Sequence, residues 1–308
     1  MAAAAGRAGS RAAPVAVAAM IGAVAIWSWT NTIVRVSQLH VLTFTLYRLW
    51  MGAAGLLLVL ALTRRRLTWL QLRAAAPAGA LLGVEVMFFF GALKFTSIVD
   101  VTVISSLQPA LTLVVAGPLF GEIVGRREVA WTAVSVLGVA LVAIGSSGTP
   151  AWSLGGDLLA AASLLAWTAY FVLSKRVRDT VATLEFMTAV TLVAAVLATP
   201  FALLSGEPLG GIHALDVLLL TLFVLGGTGG HLLVAWAHPR IDVSVSSLLM
   251  LGQPLVSGVA GLVVLGQRIA PLEYVGGLVV VGAVAAIVQQ ATRSSLGGRV
   301  AAAEAPPP

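Results

Sequence analysis

The chain has 308 residues, of which 59% are apolar and only 10% are charged, and its mean hydropathy is +1.01. This composition excludes a water-soluble globular domain, because such a domain needs more charge on its surface. The net charge of +6 is spread over the segments between apolar stretches, which argues against nucleic-acid binding, and the absence of cysteine excludes disulfides and thiol chemistry.

Apolar stretches fill the chain from end to end. A helix needs about 20 residues to cross ~30 Å of hydrocarbon. The stretches are continuous rather than alternating, which favours helices over a membrane barrel. We therefore predict an all-α membrane protein with ten transmembrane helices, at 14–34, 41–62, 74–94, 98–120, 129–146, 157–174, 184–204, 215–237, 242–264 and 272–290.

The positive charges predict the orientation in the membrane. With the N-terminus in the cytoplasm, 14 of the 18 Lys and Arg residues fall on the cytoplasmic side. This bias predicts that both termini of this multi-pass protein are cytoplasmic. Residues 1–13 and 294–308 have little to pack against, and we expect them to form disordered cytoplasmic tails.

The first half of the chain is repeated in the second. Gln108-Pro109 and Gln253-Pro254 lie 145 residues apart, and Trp27 and Trp167 lie 140 apart. These matches divide the chain into one unit over 14–146 and another over 157–290, each with five spans. Because five is odd, the second unit must insert upside down, which gives two inverted repeats.

Several strings carry a resemblance to a known family. They are AIWSWTNTIVRV, LYRLWMGA and ALKFTSIVDVTVISSLQPALTLVVAGPLFGE in the first unit, and GGDLLAAASLLAWTAYFVLSKRV and SLLMLGQPLVSGVAGLVVLGQ in the second. Over essentially its whole length the chain resembles a ten-helix, EamA-like member of the drug/metabolite transporter superfamily. Where that family usually has Gly-Glu, the second unit has Gly266-Gln267. The resemblance implies an inner-membrane exporter of metabolites or drugs and names no substrate.

Two ionisable side chains are predicted to lie deep in the membrane. Glu85 is nine residues before Lys94 and His231 is nine before Arg240, so each lies ~13 Å inside a boundary. Ionisable groups at this depth mark functional sites by default. We expect Glu85 to hold a proton or to accept the ammonium group of a substrate, with His231 as a hydrogen-bond donor or proton site. The alternative is that both are packing residues.

Aromatic and amide side chains complete a candidate substrate pocket. Helix spacing places Trp27 and Asn31 on one face of the first span, and Trp167 and Tyr170 on one face of the sixth. Phe88 and Phe89 continue the Glu85 face of the third span. Such walls suit an aromatic, aliphatic or cationic substrate, although tryptophans also anchor helices at membrane interfaces.

Proline and arginine inside the spans have structural interpretations as well. Gln108-Pro109 and Gln253-Pro254 are predicted to bend spans 4 and 9, where they shape the cavity or act as gating joints, unless they serve packing alone. Arg48, about seven residues inside the second span, is expected to reach outward to the boundary or to pair with an acidic loop residue, in a structural role.

These observations favour a secondary transporter that exports small metabolites, such as amino acids or related amines, through a central cavity by alternating access. A multidrug or lipophilic-cation exporter is the alternative. An intramembrane enzyme, a different class, is disfavoured because the chain has no H-E-x-x-H, G-x-S-x-G or Asp-rich diphosphate motif. We predict no cofactor and no metal. The substrate, proton coupling and the choice between monomer and dimer stay open.

Overall fold

The computed structural model describes residues 2–95, 101, 104–121, 125–146, 153–253, 256, 259, 263, 271–272, 274–283 and 285–286. Within this part of the chain, every regular element is a helix. They are α1 (Ala2–Val36), α2 (Val41–Leu62), α3 (Trp69–Phe95), α4 (Gln108–Phe120), α5 (Arg126–Ser146), α6 (Leu154–Arg178), α7 (Thr183–Leu204), α8 (Ala214–Ala237), α9 (Val243–Leu249) and α10 (Tyr274–Ala283). Short 3₁₀ turns follow α8 and α9.

Five of these helices are long and apolar enough to cross a bilayer, namely α2, α3, α6, α7 and α8. The bounds of α2 are the predicted ones, and those of α7 and α8 lie within one residue of the prediction. Continuous apolar side chains are the cause, because lipid leaves backbone polar groups no partner outside the helix. The chain is an all-helical membrane protein.

The first helix begins before the predicted span of 14–34. It starts at Ala2 and runs without interruption through Pro14. The segment is rich in alanine, which has the highest helix propensity of the natural residues, and this extends the helix beyond its apolar part.

The α-helical conformation is interrupted at equivalent places in the two repeats, before α4 and after α9. A turn at Ser106 and Leu107 precedes α4, and the 3₁₀ turn Met250–Gly252 follows α9, so each break lies directly before a Gln-Pro pair. The expected single helix over 98–120 is therefore divided. Because proline has no N–H and crowds the carbonyl of the preceding turn, the α-helical hydrogen bonding is disrupted there.

The helix packing has the symmetry of an inverted repeat. If α1–α5 correspond to α6–α10, the contact between α3 and α6 corresponds to that between α8 and α1. In the same way, α3 against α7 corresponds to α8 against α2, and α4 against α6 to α9 against α1. All of these contacts are present. Equivalent helices of the two repeats also pack against each other, namely α2 against α7 and α4 against α9.

Two polar clasps at opposite ends of the bundle follow the same symmetry. On the predicted outer side, Glu207 Oε2 accepts hydrogen bonds from the backbone N–H groups of Leu42 and Thr43, at 2.9 and 3.0 Å, at the N-terminus of α2. On the predicted inner side, Arg65 Nη1 lies 3.3 Å from Glu185 Oε2, in the first turn of α7. Arg65 and Glu207 are 142 residues apart, as are Thr43 and Glu185. Each clasp therefore joins a hairpin loop of one repeat to the other repeat.

Candidate functional site

The Glu85 carboxyl lies deep in the bundle, on the side of α3 that faces α6. Glu85 is ten residues before the end of α3, which corresponds to ~15 Å of helix. Its Oε1 atom accepts a hydrogen bond of 3.4 Å from Ser163 Oγ of α6, a residue that is only 3% exposed. This single long hydrogen bond leaves most of the acceptor capacity of the carboxyl unused among the described residues.

Four predicted site residues form an aromatic cluster beside Glu85, namely Trp27, Trp167, Tyr170 and His231. The ring centroids of Trp27 and Trp167 are 5.9 Å apart at 71°, and those of Trp27 and His231 are 4.7 Å apart at 60°. The Tyr170 hydroxyl and His231 Nδ1 share a hydrogen bond of 3.4 Å. These edge-to-face contacts are the favoured arrangement for aromatic rings, and they join α1, α6 and α8 at the middle of the bundle.

Trp27 is fixed against the backbone of α8. Its indole Nε1–H donates a hydrogen bond of 3.0 Å to the carbonyl oxygen of Gly227, and the side chain is 8% exposed. The ring lies on Gly230, where a Cβ atom would overlap the indole. Trp27 therefore belongs to the interior of the bundle and is not an interfacial anchor.

A small cavity lies next to the aromatic cluster, between α2, α3, α7 and α8. It has a volume of about 30 Å³, counted as the space in which a water molecule can be centred. This is room for water but not for a metabolite. Its polar walls come from Arg48, Thr191, Thr228 and His231, and its apolar walls include Leu82, Met187 and Phe223.

The cavity is lined by one of the predicted site residues. Among the described side chains of the predicted set, namely Glu85, His231, Trp27, Trp167 and Tyr170, it is His231 that lines the cavity. Glu85 instead contacts Ser163 of α6. Asn31 belongs to α1, and its side chain lies outside the described residues.

The phenylalanines of α3 have different surroundings. Phe89 packs with buried side chains of α3 and α6, and no described contact joins Phe88 to the cluster. Phe90 is the one near the cavity, with its ring centroid 5.5 Å from Arg48 Cζ.

Gln108 and Gln253 of the Gln-Pro pairs make hydrogen bonds outside the aromatic cluster. Gln108 is 3% exposed, and its Nε2 donates to Thr112 Oγ1 at 3.0 Å within α4, directly before the buried Pro109. The carbonyl oxygen of Gln253 accepts a hydrogen bond of 3.1 Å from Ser28 Oγ of α1. Pro254 lies outside the described residues.

Arg48 is the site residue that the sequence interpretation missed. Instead of reaching the boundary, its guanidinium lies between Phe90 and Phe223, with Cζ 5.5 and 5.2 Å from the two ring centroids. Its charge is close enough to act on both Glu85 and His231. A charged residue seven positions inside an apolar span was the available signal, since such residues usually face the interior of a bundle.

The site thus combines a carboxyl, a guanidinium and an imidazole with an aromatic surface inside the helix bundle. A carboxyl can bind an ammonium or a proton, a guanidinium can bind a carboxylate, and indole rings can bind apolar or cationic groups. Within the described residues, no three His, Asp or Glu side chains are grouped closely enough to hold a metal ion.

Comparisons with known proteins identify the family. The sequence matches the EamA-like transporter family twice, over residues 14–144 and 154–289. The chain belongs to this family and is a membrane transporter with two repeats. A solved crystal structure, 21% identical in sequence, superimposes with a TM-score of 0.74 over 90% of this chain and 98% of that one, which shows a common fold. No curated protein sequence matches the chain.

Proposed function

We propose that this transporter exports small metabolites, namely amino acids or related amines, from the cytoplasm by alternating access around the Glu85 site. The observation that carries the proposal is the Glu85 carboxyl, held deep in the bundle next to the aromatic cluster. A carboxyl at this depth is costly to bury, and an ammonium group from the substrate would offset that cost. Family membership supports transport, and the bias of basic residues supports cytoplasmic termini.

Alternating access agrees with the two-fold packing of the repeats. In such carriers one repeat moves against the other around a site near the midplane. The small cavity fits a closed conformation, in which the substrate must wait for the helices to separate. The interruptions before Gln108 and Gln253 lie at equivalent positions in the two repeats, where they can serve as joints for that motion.

Export of lipophilic cations is the second candidate. The aromatic cluster favours it, because the faces of Trp27, Trp167 and Tyr170 attract cations, and Glu85 supplies the opposite charge. Arg48 disfavours it, because a fixed positive charge at the cavity repels such a substrate.

The proposal is tested with purified protein in lipid vesicles. Uptake of labelled phenylalanine and of a lipophilic cationic dye is measured at several pH values, with and without a pH gradient, for the wild type and for Glu85→Gln. This change keeps the size of the side chain and the acceptor for Ser163 but removes its charge and titration. We expect phenylalanine flux to fall at least ~10-fold, because a hydrogen bond to a charged group is worth ~1.5–3 kcal/mol.

The pH profile separates coupled from passive transport. Among the described residues, Arg48 and Tyr170 interact electrostatically with Glu85, and His231 interacts with Arg48. Any pH dependence that survives in Glu85→Gln arises from a group other than Glu85. Flux that a pH gradient drives in the wild type and not in the variant indicates proton exchange at Glu85. Wild-type flux in Glu85→Gln at every pH would show that Glu85 is a packing residue and would overturn the proposed role.

A further inference from the structure

Arg48 is a half-buried cation at the wall of the cavity. Its Nε atom is buried and has no hydrogen-bond partner among the described residues. The guanidinium instead contacts the rings of Phe90 and Phe223, which hold it at the wall of the cavity beside Thr191, Thr228 and His231. An N–H donor of a guanidinium that is left without a partner in a membrane interior is costly.

The surroundings of Arg48 determine which ligand suits it. Ring faces attract the cation but accept no strong hydrogen bonds, so they fix its position and leave its fork of donors available. The hydroxyls of Thr191 and Thr228 on the same cavity wall offer additional donors. This combination matches a carboxylate, whose two oxygens accept parallel hydrogen bonds from a guanidinium.

From this geometry we propose that Arg48, with Thr191 and Thr228, forms a subsite for the carboxylate of the transported molecule. The inference rests on the proposed function and narrows its substrate class. Glu85 then takes the ammonium group and the aromatic cluster takes the side chain. The preferred substrate carries both charges, as an α-amino acid does, and simple amines and lipophilic cations bind less well. A zwitterion also leaves the charge of the site unchanged, because it brings one charge of each sign to Arg48 and Glu85.

Three related probes separate the subsites in a binding assay that does not depend on transport. L-Phenylalanine carries both charges, phenethylamine lacks the carboxylate, and 3-phenylpropionate lacks the amine. Their affinities are measured by calorimetry on the full-length purified protein, for the wild type and for Arg48→Gln, Arg48→Lys and Glu85→Gln. Arg176→Gln is the matched control, since it removes an exposed arginine at the end of α6.

We expect Arg48→Gln to weaken phenylalanine and 3-phenylpropionate by about 10–100-fold while phenethylamine changes by less than about threefold, as for loss of a charged hydrogen-bond pair. Arg48→Lys should retain part of the affinity for phenylalanine and 3-phenylpropionate, because lysine keeps the positive charge but lacks the paired N–H donors of the guanidinium. Glu85→Gln should show the opposite selectivity, weakening phenylalanine and phenethylamine.

The outcomes distinguish this inference from the proposed function. Equal weakening of all three probes by Arg48→Gln, or no weakening of phenylalanine, overturns the carboxylate subsite while the exporter proposal stands. If Arg48→Gln does not fold, the wild type decides, because phenethylamine binding as tightly as phenylalanine overturns the subsite. If the wild type binds none of the three probes, both proposals fail.

Discussion

Substitution of Gly230 by alanine tests the close packing on which the site depends. A Cβ atom at Gly230 would overlap the indole of Trp27, and that ring cannot move aside without losing its hydrogen bond to Gly227. Overpacking of an interior costs ~1–3 kcal/mol and the hydrogen bond adds ~1 kcal/mol. We therefore expect Gly230→Ala to be less stable, by about 2–4 kcal/mol, than the same substitution at a helix position without a clash.

The neighbouring Gly229 provides the control. A Cβ atom there meets nothing within 4 Å, so Gly229→Ala adds the same methyl group to the same helix without a clash. Both variants gain the same intrinsic helix propensity, and the difference between them isolates the packing effect. Unfolding in mixed micelles is followed by circular dichroism, while tryptophan fluorescence reports displacement of Trp27.

Displacement of Trp27 by Gly230→Ala should also affect substrate binding. Because Trp27 contacts both Trp167 and His231, its displacement should weaken phenylalanine binding in Gly230→Ala and not in Gly229→Ala. Equal stability of the two variants would refute the steric argument. Equal binding despite lower stability would show that the aromatic cluster supports the fold without contacting the substrate.

Two further predictions concern the outer clasp and the topology. Glu207→Gln should destabilise the protein by ~0.3–1 kcal/mol, because a negative charge next to the N–H groups of Leu42 and Thr43 complements the dipole of α2. The loss should be smaller at high salt. The same unfolding assay measures this loss, and an unchanged stability at low salt would contradict the prediction. In this cysteine-free chain, single cysteines at Gly210 and Arg176 should react with an impermeant thiol reagent from outside and from the cytoplasm respectively, and the reverse pattern would invert the predicted orientation.

The long helices could be predicted from the sequence because their cause is local. Hydropathy alone gives α2, α7 and α8 to within a residue, since a lipid-facing helix has to stay apolar over its whole length. The end of α1 is harder to predict, because alanine continues a helix into water without any apolar signal.

The site was predictable in its residue types but not in its geometry. Trp27, Trp167, Tyr170 and His231 stand out as polar or aromatic groups inside apolar spans, and the structure brings them together. Helix α3 is apolar nearly all round, so its periodicity does not reveal which side faces the cavity. That choice depends on contacts with α6 and α7, and it explains why Phe90 rather than Phe88 or Phe89 meets Arg48.

The fold is symmetric, but the chemistry of the site is not. Trp27 and Trp167 lie 140 residues apart and meet each other, so the aromatic surface draws equally on both repeats. The two charges come from the first repeat alone. At the offset of 145 Glu85 corresponds to Gly230, and at the 142-residue offset of the clasps Arg48 corresponds to Val190.

This division has a consequence for transport. Symmetric packing allows inward-open and outward-open conformations of similar energy, which a reversible carrier requires. If Glu85 and Arg48 bind the ammonium and carboxylate groups of the substrate, this charged end of the substrate stays with the first repeat while the second repeat moves past it. Only the side chain, held between Trp27 and Trp167, then exchanges contacts between repeats during each cycle. Selectivity for the charged end is then set by Arg48 and Glu85, and tolerance of different side chains by the aromatic cluster.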